Sequence, residues 1–212
     1  MKTFDVIKKE VVEAYRYLFE NKFMIALDGN ISVRIEKDKI LITPKGKQKI
    51  NLSEKDLVVI DFNGKKISGE VQPSGEWRLH SVIYQNRRDI NAVVHTHPVY
   101  STVISICGFN ITKPLLPETL LYFQGIAQIE YATFYTEELA KMIKKYLSNN
   151  DVFILRNHGL VTIAEDLQSA VIKTEKFEHL AKIFCLTKIL GKQKFLTNRQ
   201  IKKIEQIKTL YF

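Results

Sequence analysis

The sequence predicts an α/β protein in which helices pack on a mostly antiparallel sheet. Apolar residues alternate in short segments separated by turn signals such as Asn63-Gly64, a pattern typical of hairpins. Helical and strand patterns follow in mostly non-alternating order, which favours antiparallel over parallel pairing. At 212 residues, with 45% hydrophobic and 26% charged side chains, the chain has the size and composition of a single domain over residues 1–212.

The first third of the chain predicts one helix and two hairpins. Apolar residues recur at helical spacing over residues 3–22, and Thr3 is the expected N-cap. Alternating segments follow, and Asn63-Gly64 is a strong signal for the turn of the second hairpin. The predicted strands are residues 28–35, 39–44, 57–60 and 65–68.

The rest of the chain mixes helices and strands. Ser74 is the expected N-cap of a helix that runs to about Asn86, with Glu76 in its first turn. Pro98 cannot donate to a neighbouring strand and is expected to end the strand before it. Pro114 and Pro117 are expected to break any helix around them. The other predicted elements are strands over 91–97, 126–132, 152–156 and 160–164, and helices over 99–106, 137–147, 166–190 and 197–210.

The composition argues against several classes of function. The net charge is +9, but the lysines are not interleaved with aromatic residues, so nucleic-acid binding is not expected. No apolar run approaches the roughly 18 residues that a membrane span needs, and the N-terminus lacks an apolar signal core. Cys107 and Cys185 are expected to be buried thiols rather than a disulfide, which is typical of a cytoplasmic protein.

Histidines supply the first indication of chemistry. Successive strand side chains point to opposite faces, so His95 and His97 face the same way and can bind one metal ion, zinc first. Alone, the pair is equally compatible with two polar residues at a strand end. His158, in a turn between two apolar strands, would complete the three ligands typical of a catalytic zinc site. His80 shares a helix face with Glu76, and packing is favoured there over metal binding.

Five short motifs stand in order along the chain: Gly29-Asn30-Ile31-Ser32, Leu41-Ile42-Thr43-Pro44-x-Gly46, Pro73-Ser74-Gly75-Glu76-Trp77-Arg78-x-His80, His95-Thr96-His97 and Asn157-His158-Gly159-Leu160. In this combination they resemble the class II aldolase/adducin family, most closely its L-fuculose-phosphate aldolase branch. The resemblance covers residues 4–190. It implies a three-layer α/β/α sandwich around a mostly antiparallel sheet, and homotetramers with active sites at subunit interfaces.

The resemblance also implies a zinc-dependent aldolase that cleaves a ketose 1-phosphate reversibly to dihydroxyacetone phosphate and an aldehyde. His95, His97 and His158 would hold the zinc, and Glu76 would lie beside it as a further ligand, released by substrate to act as the base. Cleavage leaves an enediolate, whose charge a divalent metal stabilises as a Lewis acid. In the reverse direction a carboxylate removes the proton from the donor carbon. The alternative for Glu76 is a favourable charge at a helix N-terminus.

The family binds the substrate phosphate on three turns, which correspond here to Gly29-Asn30, Lys45-Gly46 and Ser74-Gly75. Glycine turns and helix N-termini suit anions because free N–H groups point outward. This chain departs from the resembled aldolases at two of these turns. They usually have a hydroxyl residue at the position of Lys45 and a second serine at the position of Gly75. Gly75 removes one hydroxyl donor, whereas Lys45 adds a positive charge.

The resembled aldolase uses a tyrosine near the chain end as the acid, acting across the subunit interface. Tyr211 is the only tyrosine in the tail here and is the corresponding candidate, a frayed terminus being the alternative. A further functional tyrosine of that branch corresponds to Leu116, and Tyr122, several residues on, is the second candidate for the acid. The departure at Leu116 argues against L-fuculose 1-phosphate itself, so the aldehyde stays open.

Three other activities share parts of this pattern. A sugar-phosphate 4-epimerase has the same metal site but typically has aspartate at the position of Glu76 and an acidic residue near Leu120. A methylthioribulose-phosphate dehydratase shares the histidines but usually has a longer segment after His97. A non-catalytic adducin-like interaction domain lacks the metal ligands. The epimerase ranks second, and the three histidines with Glu76 favour an enzyme over the interaction domain.

Overall fold

The structure of the protein is a computed structural model that describes residues 3–46 and 51–211, with side chains as far as Thr209. Within these ranges an eight-stranded sheet occupies the centre, in the order β4-β3-β2-β1-β5-β8-β7-β6. The described pairs are antiparallel except β6–β7, as the sequence predicts for a mostly antiparallel sheet. The strands are β1 (Asn30–Glu36), β2 (Lys39–Ile42), β3 (Val58–Asp61), β4 (Lys66–Ser68), β5 (Ala92–Thr96), β6 (Ile126–Ile129), β7 (Val152–Leu155) and β8 (Gly159–Ala164).

Helices cover both faces of this sheet. They are α1 (Phe4–Glu20), α2 (Trp77–Asn86), α3 (Val99–Cys107), α4 (Pro117–Tyr122), α5 (Glu137–Lys144), α6 (Leu167–Leu190) and α7 (Asn198–Tyr211). Alternate residues of β2 pack on opposite sides: Ile40 and Ile42 contribute to the core under α2 and α5, and Leu41 contributes to the core under α1. A third cluster joins α3 and α6 to β7. The implied three-layer α/β/α sandwich is therefore confirmed, and in the described residues no helix is long and apolar enough to cross a membrane.

Two predicted helix details are wrong. Helix α2 begins at Trp77 with Glu76 at the N-cap, because the Ser74 hydroxyl accepts the Glu76 N–H at 3.3 Å and closes a turn before the helix. Pro117 does not prevent a helix but begins α4, where its missing N–H has no helical partner to lose.

The cysteines also differ from expectation. Both are free thiols, as predicted, but Cys107 is exposed at the end of α3 and Cys185 is partly exposed. Cys107 is the last residue of α3, and the helix ends directly after it at the left-handed Gly108. The expectation that both are buried is therefore wrong.

Two contacts fix the segment that joins β5 to α3. The backbone N–H of His97 donates to the Phe23 carbonyl oxygen at 3.0 Å, which ties the end of β5 to the loop after α1. Glu178 of α6 accepts the N–H groups of Tyr100 and Ser101, each at 2.8 Å, in the first turn of α3. A carboxylate at a helix N-terminus stabilises the free N–H groups and the helix dipole. These hydrogen bonds fix the backbone at His97 and in the turn that follows it.

Candidate active site

Three histidines converge at one end of the central strands. His95 is fully buried on β5, and its Nε2 lies 3.0 Å from His97 Nε2 and 3.3 Å from His158 Nε2. His158 stands in the turn between β7 and β8, next to Asn157, whose backbone is left-handed with φ +54°. Gly159 permits this approach, since a Cβ there would lie 2.5 Å from His97 Cδ2. The structure therefore brings together His95, His97 and His158.

The orientation of His95 is set by the neighbouring strand. Its Nδ1 lies 3.0 Å from the carbonyl oxygen of Leu160, and a carbonyl oxygen can only accept. Nδ1 therefore carries the proton, and the lone pair of the ring is on Nε2, which faces the other two histidines. His97 Nδ1 in turn faces Asp28 Oδ2 at 3.7 Å. Nitrogen lone pairs this close repel one another unless a cation lies between them, so the arrangement fits a metal ion.

Glu76 lies beside the three imidazoles and is only 5% exposed. Its Oε2 is 3.1 Å from His95 Nε2, and its Oε1 is 3.5 Å from His158 Nε2. Oε1 is buried yet accepts no hydrogen bond from the described residues. Such an orphaned carboxylate oxygen beside three imidazole nitrogens is the second feature that fits a cation. Burial raises the pKa of Glu76, but His95, His158 and the Asn30 amide together outweigh burial and hold that pKa below its ordinary value.

A chain of hydrogen bonds leads from the core to the Glu76 carboxylate. Asn30 Nδ2 donates to Glu76 Oε2 at 2.8 Å, so Asn30 Oδ1 is the acceptor that faces His80 Nε2. His80 Nε2 therefore carries the proton, and Ser32 Oγ donates to His80 Nδ1 at 2.6 Å. The Tyr84 hydroxyl donates to the Ser32 carbonyl oxygen at 2.9 Å. Because His80, Asn30 and Ser32 all donate in the direction of Glu76, the chain stabilises its negative charge and fixes Oε2.

His80 occupies the middle of this chain and lies outside the metal cluster. It is fully buried, and burial lowers the pKa of its imidazole to about 3, so the ring is neutral at physiological pH. A neutral ring is what the chain requires, because Nδ1 accepts while Nε2 donates. The packing role favoured for His80 agrees with this position.

The site opens into a cleft of about 380 Å³. Hydrogen bonds join two of the turns that line it: Ser74 N–H donates to the Thr43 carbonyl oxygen and Lys45 N–H donates to the Gln72 carbonyl oxygen, each at 3.0 Å. The residues expected to bind phosphate all line this cleft together with Glu76, His97 and His158; they are Gly29, Asn30, Lys45, Gly46, Ser74 and Gly75.

Aromatic residues that the sequence analysis missed line the same cleft. They are Tyr131, Phe134 and Tyr135, in the loop between β6 and α5. The Phe134 ring lies 6.1 Å from the His158 ring, measured between centroids. The cluster of three aromatic residues in five positions, without strand or helix periodicity, is the signal that could have indicated a cleft wall.

Neither candidate acid is among the described residues that line this cleft. The backbone of α7 includes Tyr211, but its side chain lies outside the described residues. Tyr122 is in α4, where Lys176 Nζ lies 4.9 Å from its ring centroid, and it does not line the cleft of its own chain.

The sequence is similar to proteins of one known family. Residues 9–185 match the family described as Class II Aldolase and Adducin N-terminal domain. The L-fuculose phosphate aldolase of Methanocaldococcus jannaschii is 37% identical over 185 residues, which cover 87% of this chain and 99% of that protein. The L-fuculose phosphate aldolase of Escherichia coli strain K12 is 39% identical over 159 residues, 75% of this chain and 73% of the relative.

Solved structures agree with these relatives. An L-fuculose 1-phosphate aldolase superposes with a TM-score of 0.88 at 33% identity, and the match covers 98% of each chain. A putative aldolase/epimerase/decarboxylase from Klebsiella pneumoniae superposes with a TM-score of 0.88 at 26% identity, covering 96% of this chain and all of the other.

The chain belongs to the class II aldolase and adducin N-terminal domain family. It is a class II aldolase similar to the fuculose-phosphate aldolases, and therefore a metal-dependent aldehyde-lyase. The family resemblance that the five motifs indicate is confirmed.

Replacing His80 by glutamine should make the protein less sensitive to acid. The pKa of His80 is about 3 in the fold against 6.5 in the unfolded chain, so unfolding takes up a proton and stability falls as the pH falls below 6.5. Between pH 7 and pH 5 this linkage removes about 2 kcal/mol of unfolding free energy from the wild type that His80→Gln does not lose. Urea unfolding of chelator-treated protein measures it. His179 is exposed, so His179→Gln serves as the control. Equal losses of unfolding free energy in the wild type, His80→Gln and His179→Gln would contradict the prediction.

Replacing His95 by alanine should weaken metal binding. The wild-type chain is expected to bind one divalent ion, and His95→Ala, which lacks one of three imidazoles, is expected to bind at least about tenfold more weakly. Elemental analysis after gel filtration measures the content. His179→Ala should retain the wild-type amount, and full occupancy of His95→Ala would show that the ion binds elsewhere.

Proposed function

We propose that this protein is a zinc-dependent aldolase that cleaves a ketose 1-phosphate, similar to fuculose 1-phosphate, reversibly to dihydroxyacetone phosphate and an aldehyde. The observation that carries the proposal is the buried Glu76 carboxylate beside three convergent imidazoles, in a cleft lined by glycine turns. The similar proteins from Methanocaldococcus jannaschii and Escherichia coli are L-fuculose phosphate aldolases, which supports the substrate class.

Zinc is the proposed metal because three imidazoles with an open position are the donor set of catalytic zinc sites. His95, His97 and His158 would hold it, with Glu76 as a further ligand before substrate binds. When bound, zinc supplies a Lewis acid that stabilises the negative charge left on the substrate oxygens by carbon–carbon cleavage.

Glu76 is proposed to move the proton at the donor carbon. Its two oxygens have different surroundings, since Oε2 accepts from Asn30 and Oε1 has no hydrogen bond from the described residues. Oε1 is therefore the oxygen that takes the proton in the condensation direction and returns it in cleavage. The hydrogen bond from Asn30, whose amide oxygen in turn accepts from His80, keeps the carboxylate charged and oriented until substrate arrives.

The substrate phosphate is proposed to bind at the three turns that line the cleft. The Asn30 amide is already bonded to Glu76 and His80, so the Gly29-Asn30 turn would offer its backbone. Ser74 retains a hydroxyl proton to donate, because among the described residues its oxygen accepts from the Glu76 N–H and makes no other hydrogen bond. Lys45 and Gly46 complete the set with a positive charge and an open turn.

The acid is proposed to be Tyr211 of an adjacent subunit in a homotetramer, with Tyr122 as the second candidate. Helix α7 packs beside α4 of its own chain, and Lys208 Nζ donates to the Leu120 carbonyl oxygen at 2.7 Å. This contact anchors the helix one turn before Tyr211. The free cysteines agree with the proposed cytoplasmic location.

A sugar-phosphate 4-epimerase is the second candidate, because one similar structure is described as a putative aldolase/epimerase/decarboxylase. One experiment separates the two. Zinc-loaded protein is incubated with dihydroxyacetone phosphate and a panel of aldehydes, and in parallel with ketopentose phosphates. Condensation products support the aldolase, whereas an epimeric pentose phosphate without condensation would replace it. Chelation should abolish the activity and zinc should restore it.

Replacing Glu76 by glutamine should remove the base while keeping the site. The amide cannot accept the donor proton, so exchange of that proton with deuterated water should slow by about a hundredfold or more. Mass spectrometry of the recovered dihydroxyacetone phosphate measures it, with metal content determined on the same sample. Glu13→Gln, on the exposed side of α1, should exchange at the wild-type rate. Unchanged exchange in Glu76→Gln would reject this role.

Removing residues 209–212 should lower turnover and leave zinc content and oligomeric state intact. The truncation removes Tyr211 but spares Lys208, which holds α7 on α4. Steady-state cleavage, metal analysis and light scattering measure the three quantities, and Tyr211→Phe should reproduce the loss in the full-length chain. Full-rate cleavage by the truncated protein would exclude Tyr211 and direct the search to Tyr122.

A further inference from the structure

Tyr135 is held in an unusual backbone conformation at the edge of the cleft. Its φ is +68°, in the left-handed region that a bulky side chain rarely adopts. The next residue, Thr136, caps α5 and accepts the Leu139 N–H. Such strain persists where the surroundings fix it, and it concentrates at functional sites. The Tyr135 ring lines the same cleft as Glu76 and His158.

The ring of Tyr135 lies directly on Gly75. A Cβ at position 75 would be 2.8 Å from Tyr135 Cε1 and 2.9 Å from its Cζ, closer than real Cβ contacts. The phenol therefore occupies the space that a serine at position 75 would need. A side chain at 75 and this position of the Tyr135 ring exclude each other.

Lys45, the other departure from the resembled aldolases, meets the same ring. Its Nζ lies 5.7 Å from the Tyr135 ring centroid, within range of a cation–π contact. Phe134 packs edge-on against Tyr135 with centroids 4.7 Å apart and supports its other side. Burial, then the charges of Glu76 and Asp28, raise the pKa of the Tyr135 hydroxyl, so it is protonated and able to donate.

We propose that Tyr135 and Lys45 form a substitute donor pair for the substrate phosphate in this chain. The phenolic hydroxyl supplies the hydrogen bond that a second serine would supply, and the Lys45 ammonium supplies charge. The proposal rests on the proposed function, in which a phosphorylated donor binds in this cleft. The position of the Tyr135 ring requires glycine at position 75, since a side chain there would occupy the space of the ring.

The hydroxyl is tested by Tyr135→Phe, which keeps the ring on Gly75. A hydrogen bond to a charged group corresponds to an affinity change of about ten- to a hundredfold. The KM for dihydroxyacetone phosphate and the inhibition constant of inorganic phosphate should both rise by that factor. The kcat and the KM for unphosphorylated dihydroxyacetone should stay near the wild-type values, as should the zinc content and melting temperature.

The exclusion between positions 75 and 135 is tested with a double-mutant cycle. Gly75→Ser alone should weaken phosphate binding, because the new side chain displaces the ring. Tyr135→Gly alone should weaken it by removing the hydroxyl. Gly75→Ser combined with Tyr135→Gly should bind phosphate more tightly than either single variant, since the serine then has the space to donate.

The outcomes distinguish this proposal from the proposed function. Wild-type affinity for phosphate and dihydroxyacetone phosphate in Tyr135→Phe would overturn the proposal alone. Tighter phosphate binding by Tyr135→Gly would also overturn it, because the ring would then block the anion. A wild-type protein that neither binds inorganic phosphate nor condenses dihydroxyacetone phosphate would overturn the proposed function, and this proposal with it.

Discussion

The hydrogen bond between His95 Nδ1 and the Leu160 carbonyl oxygen, 3.0 Å across the β5–β8 pair, is the contact on which the site depends. It fixes which nitrogen of His95 faces the other two histidines, and the same strand pairing places His158 just before the start of β8. The ring of His95 then sets the distances to His97 and to Glu76. Strands β5 and β8 give this contact a rigid base, because both are fully buried and each is paired on two sides.

The hydrogen-bonded chain behind Glu76 buries polar groups, and their burial costs free energy unless each group has a partner. Ser32, Asn30, His80 and Glu76 are each at most 5% exposed, in a region where an unpaired polar group is expensive. Tyr84 completes the pairing on the core side. In the part of the chain that the structure describes, Oε1 of Glu76 is the atom of this network without a hydrogen-bond partner, and Glu76 lines the cleft.

Local sequence patterns predicted much of the fold and of the candidate site. The two-residue spacing of His95 and His97 predicted a shared face, Asn63-Gly64 predicted a hairpin, and the motifs supplied Glu76 and His158. The order of strands, the bond from Asn30 to Glu76 and the ring of Tyr135 on Gly75 join residues far apart in the chain, and no local periodicity records them. Pro117 and Ser74 were misassigned because a proline or serine is compatible with several positions at a helix start.

The order of the chain has a consequence for biosynthesis. His95 and His158 are separated by 63 residues, and β5 pairs with β1 on one side and β8 on the other. Contacts of such long sequence separation form late, after the loop-closure entropy of the intervening chain is overcome. The three histidines are therefore brought together only once the central strands have assembled, so we expect the folded protein to hold a metal ion more tightly than the nascent chain does.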